Sequence, residues 1–295
     1  MRIYIDCMPC FIRQSLEAVR YATEDTSIHE QVVRAVLNLA GTLDMHQSPP
    51  AIGQLIHRWV RNLSGNKDPY YAVKQQFNNA ALAMYPRMRQ LIAEAADPFQ
   101  TAIRLAIAGN IIDFGVFGSI HKADLDKTIN ECLTVQFDTT DSDAFCAAVR
   151  DANSILYLAD NTGEIVFDRL LIEQLPMEKI TVAVKGSPTI NDATMEDAKA
   201  VGLTAIVNVI DNGSDAPGTL LNDCSPAFRS HFENADLIIA KGQGNYETLS
   251  EVNRPIFFLL KVKCPVIAGH LGCEIGQMIF QHSAAFKGQK ENAKT

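Results

Sequence analysis

One stretch constrains this chain more than any other: Ser154-Ile-Leu-Tyr-Leu-Ala-Asp160-Asn161-Thr-Gly163-Glu164. Its apolar residues 155–159 predict a buried strand, and a helical pattern follows from 165 to about 174. Between strand and helix stand three oxygen-bearing side chains, Asp160, Asn161 and Glu164, with Gly163 among them. A strand that feeds a helix belongs to a mostly parallel sheet, and open sheets of that kind bind ligands at the carboxyl ends of their strands. Carboxylate and amide oxygens placed there suit a hard cation such as Mg²⁺ or Mn²⁺.

The chain divides by pattern. Before about residue 130 no strand alternation persists, and apolar residues recur at helical spacing. Phe11, Ile12, Leu16 and Val19 follow Pro9; Val32, Val36 and Leu39 follow a cap at Ser27; Ile52, Ile56 and Trp59 follow Pro49-Pro50. Further on, β-branched apolar runs alternate with helical ones. Strands are predicted at residues 133–137, 155–159, 180–184, 204–209, 237–240 and 266–268, and helices at 141–151, 165–174, 195–201, 217–222 and 226–233. The expected architecture is α/β. Residues 1–96 form an N-terminal helical bundle, and residues 97–295 form a three-layer α/β/α domain on a mostly parallel sheet.

The charge sum, 26 − 34 = −8, argues against nucleic acid as a partner. No apolar run approaches the length of a membrane span, so no membrane partner is expected. The N-terminus lacks a long apolar signal core, and seven cysteines, an odd number in a long chain, do not make a secreted disulfide framework. A cytoplasmic protein is expected. Oligomeric state is not encoded in any of these features.

Other predicted strand ends carry chemistry too. Lys185-Gly-Ser-Pro-Thr-Ile-Asn191-Asp192 follows the strand at 180–184 as Asp160 follows the one at 155–159. Neighbouring parallel strands lie about 4.8 Å apart, so the two loops can converge on one cation with Asp192 as third ligand. Asp192 or Asn191 as a helix cap is the competing reading. Lys241-Gly242-Gln243-Gly244-Asn245 has the composition of a phosphate cradle, with glycine amides and a lysine charge, although it is not a Walker motif. Asp211 and Asp215 sit in ordinary turn chemistry. Asn110 and Asp113, three apart, share a helix face or straddle a helix end. Cys7-x-x-Cys10 has zinc-like or redox-like spacing; no second C-x-x-C exists, which leaves Cys264, Cys273 and His270 to complete a zinc site, or a buried structural or redox-responsive pair.

Taken together, Asp160-Asn161-x-Gly163-Glu164, Lys185-Gly-x-Pro-x-x-Asn191-Asp192-Ala-Thr, Gly109-Asn110-x-x-Asp113 and Lys241-Gly-x-Gly-Asn245-x-Glu247 resemble the signature set of the damage-control phosphatases. That family was formerly a domain of unknown function, number eighty-nine. The opening Cys7-x-x-Cys10-Phe-x-x-Gln resembles its prokaryotic, cysteine-bearing branch. The resemblance implies a helical N-terminal region on an α/β/α domain, and a divalent-metal site (Mn, Mg, Co or Ni) made by Asp160, Asn161 and Asp192. It implies hydrolysis of small phosphate esters, such as sugar phosphates or phosphopantetheine-related compounds. It also implies that Glu164, Lys185 and Lys241 belong to the substrate pocket, with Asn110, Asp113 and Asn245 lining it. Lys185, Lys241 and the amides from Gly242 to Asn245 would hold phosphate oxygens. Glu164 or Asp192 would serve the attacking water, or Asp160 would itself be the nucleophile. Two rival expectations are an S-adenosylmethionine-dependent carboxyl methyltransferase and a metal- or redox-sensing module built on Cys7 and Cys10.

Overall fold

The computed structural model describes residues 1–109, 133–134 and 141–283. Asn110 and Asp113 lie outside the described residues. Three N-terminal helices, α1 (Cys7–Ala22), α2 (Thr26–Ala40) and α3 (Pro49–Ser64), pack on one another around Phe11, Val36, Ile52 and Ile56. The cap of α2 is Asp25, whose side chain accepts from the Ser27 amide, rather than Ser27 itself. Helices α4 (Tyr71–Glu94) and α5 (Pro98–Ala108) follow, and both pack on α7 (Glu164–Ile172). The bundle boundary expected near residue 96 falls between α4 and α5.

Six strands form one sheet: β1 (Ile155–Leu158), β2 (Ile180–Val184), β3 (Asn208–Asp211), β4 (Leu237–Lys241), β5 (Ile256–Lys261) and β6 (Met278–His282). Their spatial order is β3-β2-β1-β4-β5-β6, parallel throughout except for β6. Alternation at period two sends Tyr157, Val182, Ile239 and Phe257 to one face. There they meet α4, α5, α6 (Ser142–Asp151) and α7. Leu156, Ala183, Ile238 and Phe258 point to the other face, toward α9 (Pro226–Asn234), α10 (Gly242–Leu249) and α11 (Pro265–Leu271). The short helix α8 (Met195–Ala200) follows β2. The three-layer α/β/α expectation holds, with helices on both faces of the sheet and a helical N-terminus. Among the described residues, no helix is long and apolar enough to cross a membrane.

Four local expectations change. Residues 266–268 are helical, because Pro265 opens α11 as an N-terminal proline does. Strand β5 takes the place of that expected strand in the sheet. Leu133 and Thr134 are helical where a strand was expected to begin. The strand expected from residue 204 starts at Asn208, after a 3₁₀ turn at Leu203–Ala205. Residues 217–222 form turns rather than a helix.

Candidate active site

Strand order reverses between β1 and β4. Chain leaving β1 passes toward β2 on one side, while β4 and β5 build outward on the other. A crevice opens at the carboxyl ends of two such strands. Asp160 lies two residues beyond β1, and Lys241 is the last residue of β4. The motif-bearing loops therefore meet where the topology itself makes a cleft.

Backbone pairing locks the two acidic loops together. The Ala193 amide donates to the Asp160 carbonyl at 2.8 Å, and the Thr162 amide to the Asn191 carbonyl at 2.8 Å. Asn161 and Asp192 form an isolated antiparallel bridge. Ile190, just before them, holds φ 43°. That is a strained value for a β-branched residue and marks a loop over-determined by its surroundings. The loop end is capped by Thr194, not by Asp192: Thr194 and Asp197 form a capping box at the start of α8. Asp192 is left for other duty. Its carboxylate is buried, Oδ2 accepts no hydrogen bond, and the nearest cation is Lys185 Nζ at 3.4 Å.

Asp160 is buried as well. Burial first, then the like charges of Glu164 and Asp192, push its carboxyl up to about 8, against the pull of Lys263 and Lys185. Burial likewise raises Asp192, with Lys185 opposing. Gly242 lets the Asp160 carboxylate lie against the start of α10: a Cβ there would come within 1.9 Å of Oδ2, and φ is +79°. Asn161 Nδ2 donates to Asp160 Oδ2 at 2.9 Å and to Glu164 Oε2 at 3.2 Å.

The lysines are anchored differently. Lys241 Nζ is fully buried and donates to Glu164 Oε1 at 2.6 Å, to Asp168 Oδ1 and to the Ala106 carbonyl at 2.8 Å. Those three acceptors match its three N–H donors. Lys185 Nζ bonds the Gly218 carbonyl. Asn245 is fully buried too; its amide ties Ala159 and Lys241 carbonyls to the Thr219 hydroxyl. Gly244 lines the cleft, whereas Gly242, Asn245 and the two lysines do not.

The cleft itself has a volume of about 280 Å³. Asp160, Asn161 and Asp192 line one part. Across from them α1 contributes Cys10, Phe11 and Gln14, and α3 contributes Pro49, Pro50 and Gly53. The cysteine-bearing motif is thus part of the cleft wall. Lys263, Gln243 and Glu247 also line it. Of these, Lys263 was not foreseen, because it follows β5. Asn78 of α4 was equally unforeseen. Its Oδ1 accepts from the Gly163 amide at 2.9 Å while Nδ2 donates to Asp197, which positions the loop carrying Asn161. Asp215 is tied to Arg58, Arg61 and Gln54 of α3, and Asp211 caps its own turn through the Gly213 amide.

Among the described residues, no three His, Cys, Asp or Glu side chains gather to hold a metal by themselves. The candidate set is two carboxylates and an amide. Mg²⁺-type ions are commonly held by one or two carboxylates plus substrate phosphate and water, so these hard oxygens, with Asp192 Oδ2 only loosely paired to Lys185 at 3.4 Å, fit such an ion. Burial raises the Cys7 thiol, which disfavours its thiolate, while Cys10 of the same motif is exposed.

Comparison with known proteins places the chain in a family. Residues 3–279 match the Damage-control phosphatase ARMT1-like domain. A Pyrococcus horikoshii protein named damage-control phosphatase PH1575 is 36% identical over 284 residues, covering 95% of this chain and 97% of its own. A damage-control phosphatase of Archaeoglobus fulgidus is 34% identical over 288 residues, with 95% and 98% covered. The crystal structure of the Pyrococcus horikoshii DUF89 family protein superposes with a TM-score of 0.87 at 35% identity, covering 96% of this chain and 99% of that one. This chain belongs to the damage-control phosphatase family.

Proposed function

We propose that the protein is a divalent-metal-dependent phosphomonoester hydrolase acting on small phosphometabolites, sugar phosphates or phosphopantetheine-like esters, in metabolite damage control. The observation that carries this reading is the buried Asp192 carboxylate, whose Oδ2 has only a long 3.4 Å contact to Lys185 and which backbone pairing zips to the loop of Asp160 and Asn161. Asp160, Asn161 and Asp192 would hold the cation, which when bound neutralises charge developing on the phosphoryl oxygens. Lys263 adds a cleft-lining positive charge for the phosphate. Gly244, in the first turn of α10, lines the cleft where helix amides favour an anion. Phe11, Gln14 and the Pro49-Pro50 pair form the wall against which the organic part of the ester rests. Lys185 stays beside Asp192 and steadies its charge.

Incubation with a panel of phosphomonoesters and Mn²⁺, Mg²⁺, Co²⁺ or Ni²⁺ should release inorganic phosphate from at least one small ester. Adenosylmethionine-dependent methyl transfer without added metal, and no phosphate release, would instead support the methyltransferase rival.

A further inference from the structure

A buried chain of polar contacts runs behind the cleft, and hydrolysis as proposed makes no use of it. Glu164 and Asp168 stand one turn apart on α7, and Lys241 from β4 bridges them. Asp168 Oδ1 also accepts from the Tyr157 hydroxyl at 2.8 Å. All four side chains are almost wholly buried. Lys241 has a full set of acceptors and points away from the cleft, so it fixes Glu164 from behind.

Glu164 turns its second oxygen, Oε2, to Asn161 Nδ2 at 3.2 Å. An ion-paired carboxylate only accepts hydrogen bonds, so it selects the NH₂ end of an amide. The other hydrogen of that nitrogen is directed to Asp160 Oδ2 at 2.9 Å. With Nδ2 committed to both carboxylates, the carbonyl oxygen is the end of the Asn161 amide left for a cation. A cation needs that oxygen and would be repelled by the NH₂ end.

We propose that Glu164, held by Lys241, which Asp168 also anchors, is a positioning residue that helps set which end of the Asn161 amide meets the cation. The inference rests on the metal reading of Asp160, Asn161 and Asp192. It makes Lys241 and Asp168 part of the same device, at one remove. Outer contacts of this kind commonly change metal affinity by about 10–100-fold.

The test is Mn²⁺ binding by calorimetry, in the wild type, Glu164→Gln, Asn161→Asp and the double variant. Glu164→Gln keeps an oxygen for Lys241 but offers Asn161 an NH₂ group, so Nδ2 keeps only its Asp160 acceptor and the amide loses one of the two contacts that fix which end faces the cation. A rise in Kd of about 10-fold or more is expected for this variant. On the Asn161→Asp background the sign should reverse. Two carboxylates then face each other, and Glu164→Gln relieves them and tightens binding. Glu164→Asp, which keeps the charge but withdraws it by one methylene, is the second variant, with weaker Mn²⁺ binding expected should Glu164→Gln not fold. A Kd within about threefold of wild type for a folded Glu164→Gln, or an equal loss in both backgrounds, overturns the positioning role. Mn²⁺ uptake absent from the wild type, or undiminished by Asp160→Asn, overturns the metal reading and this inference with it.

Discussion

Asp160→Asn lowers kcat/KM for phosphate release by about 10³-fold or more while the protein stays folded; that is the expected result, since removal of one preorganised charge at a phosphoryl or acyl site costs this much. The substitution preserves shape, and shape matters because Gly242 holds the backbone of α10 against the carboxylate. It removes charge from the loop end that topology places in the cleft. A second effect runs the other way. The Asp160 carboxyl is pushed up to about 8, so the folded chain keeps a proton that the unfolded chain has already lost above its ordinary carboxylate range. Folded protein then binds more protons than unfolded, and this group makes stability fall as pH rises from about 4 to about 8. The metal-free Asp160→Asn protein should show a higher Tm at pH 8 than the metal-free wild type and a flatter Tm against pH. Initial rates and melts between pH 5 and 8 read both effects. Full activity in a folded variant would remove Asp160 from the site.

Lys241→Met is expected to destabilise the protein by about 3–5 kcal/mol, the usual cost of leaving buried partners of an ion pair without their counter-charge. Glu164 and Asp168 are each 1% exposed, and Lys241 Nζ reaches both, at 2.6 Å to Glu164. Methionine fills the same length of channel between β4 and α7, so the loss reports charge rather than volume. Urea unfolding measures it. A loss under about 1 kcal/mol would contradict a buried ion pair that the fold depends on.

Much of the frame was readable from the chain. Residues 155–158, 180–184 and 237–241 each form an apolar run ended by polar or glycine residues, and each is a strand. Parallel neighbours bring their following loops to one edge, and Asp160, Asn161 and Asp192 accordingly line one cleft. Strand β5 is not legible in the sequence because a short apolar run, Ile256–Lys261, has no periodicity that separates strand from helix. Losing β5 meant losing Lys263, which follows it. The antiparallel β6 pairs with β5 along Met278–His282, a partnership set by the sheet edge.

The lysines were legible as chemistry but not as geometry. Lys241 follows an apolar strand and precedes glycines, which suits a phosphate ligand; its ammonium instead lies under α7. That direction depends on how closely α7 packs on β4, a tertiary fact. Asn78 illustrates the same limit. One buried amide in an apolar helical stripe signals a partner, yet only folding reveals that the partner is the Gly163 amide, 85 residues away in the chain. The cysteine-bearing motif gained meaning in the same way: Cys10, Phe11 and Gln14 became a cleft wall once α1 lay over the strand ends.

The most direct measurement is phosphate release by protein stripped with a chelator and then titrated with Mn²⁺, Mg²⁺, Co²⁺ or Ni²⁺, using the best ester of the panel. The proposed function predicts that stripping abolishes turnover, that at least one of these ions restores it, and that Asp160→Asn is not restored by any. Undiminished hydrolysis by the stripped protein, or restoration of Asp160→Asn to the wild-type rate, would contradict it.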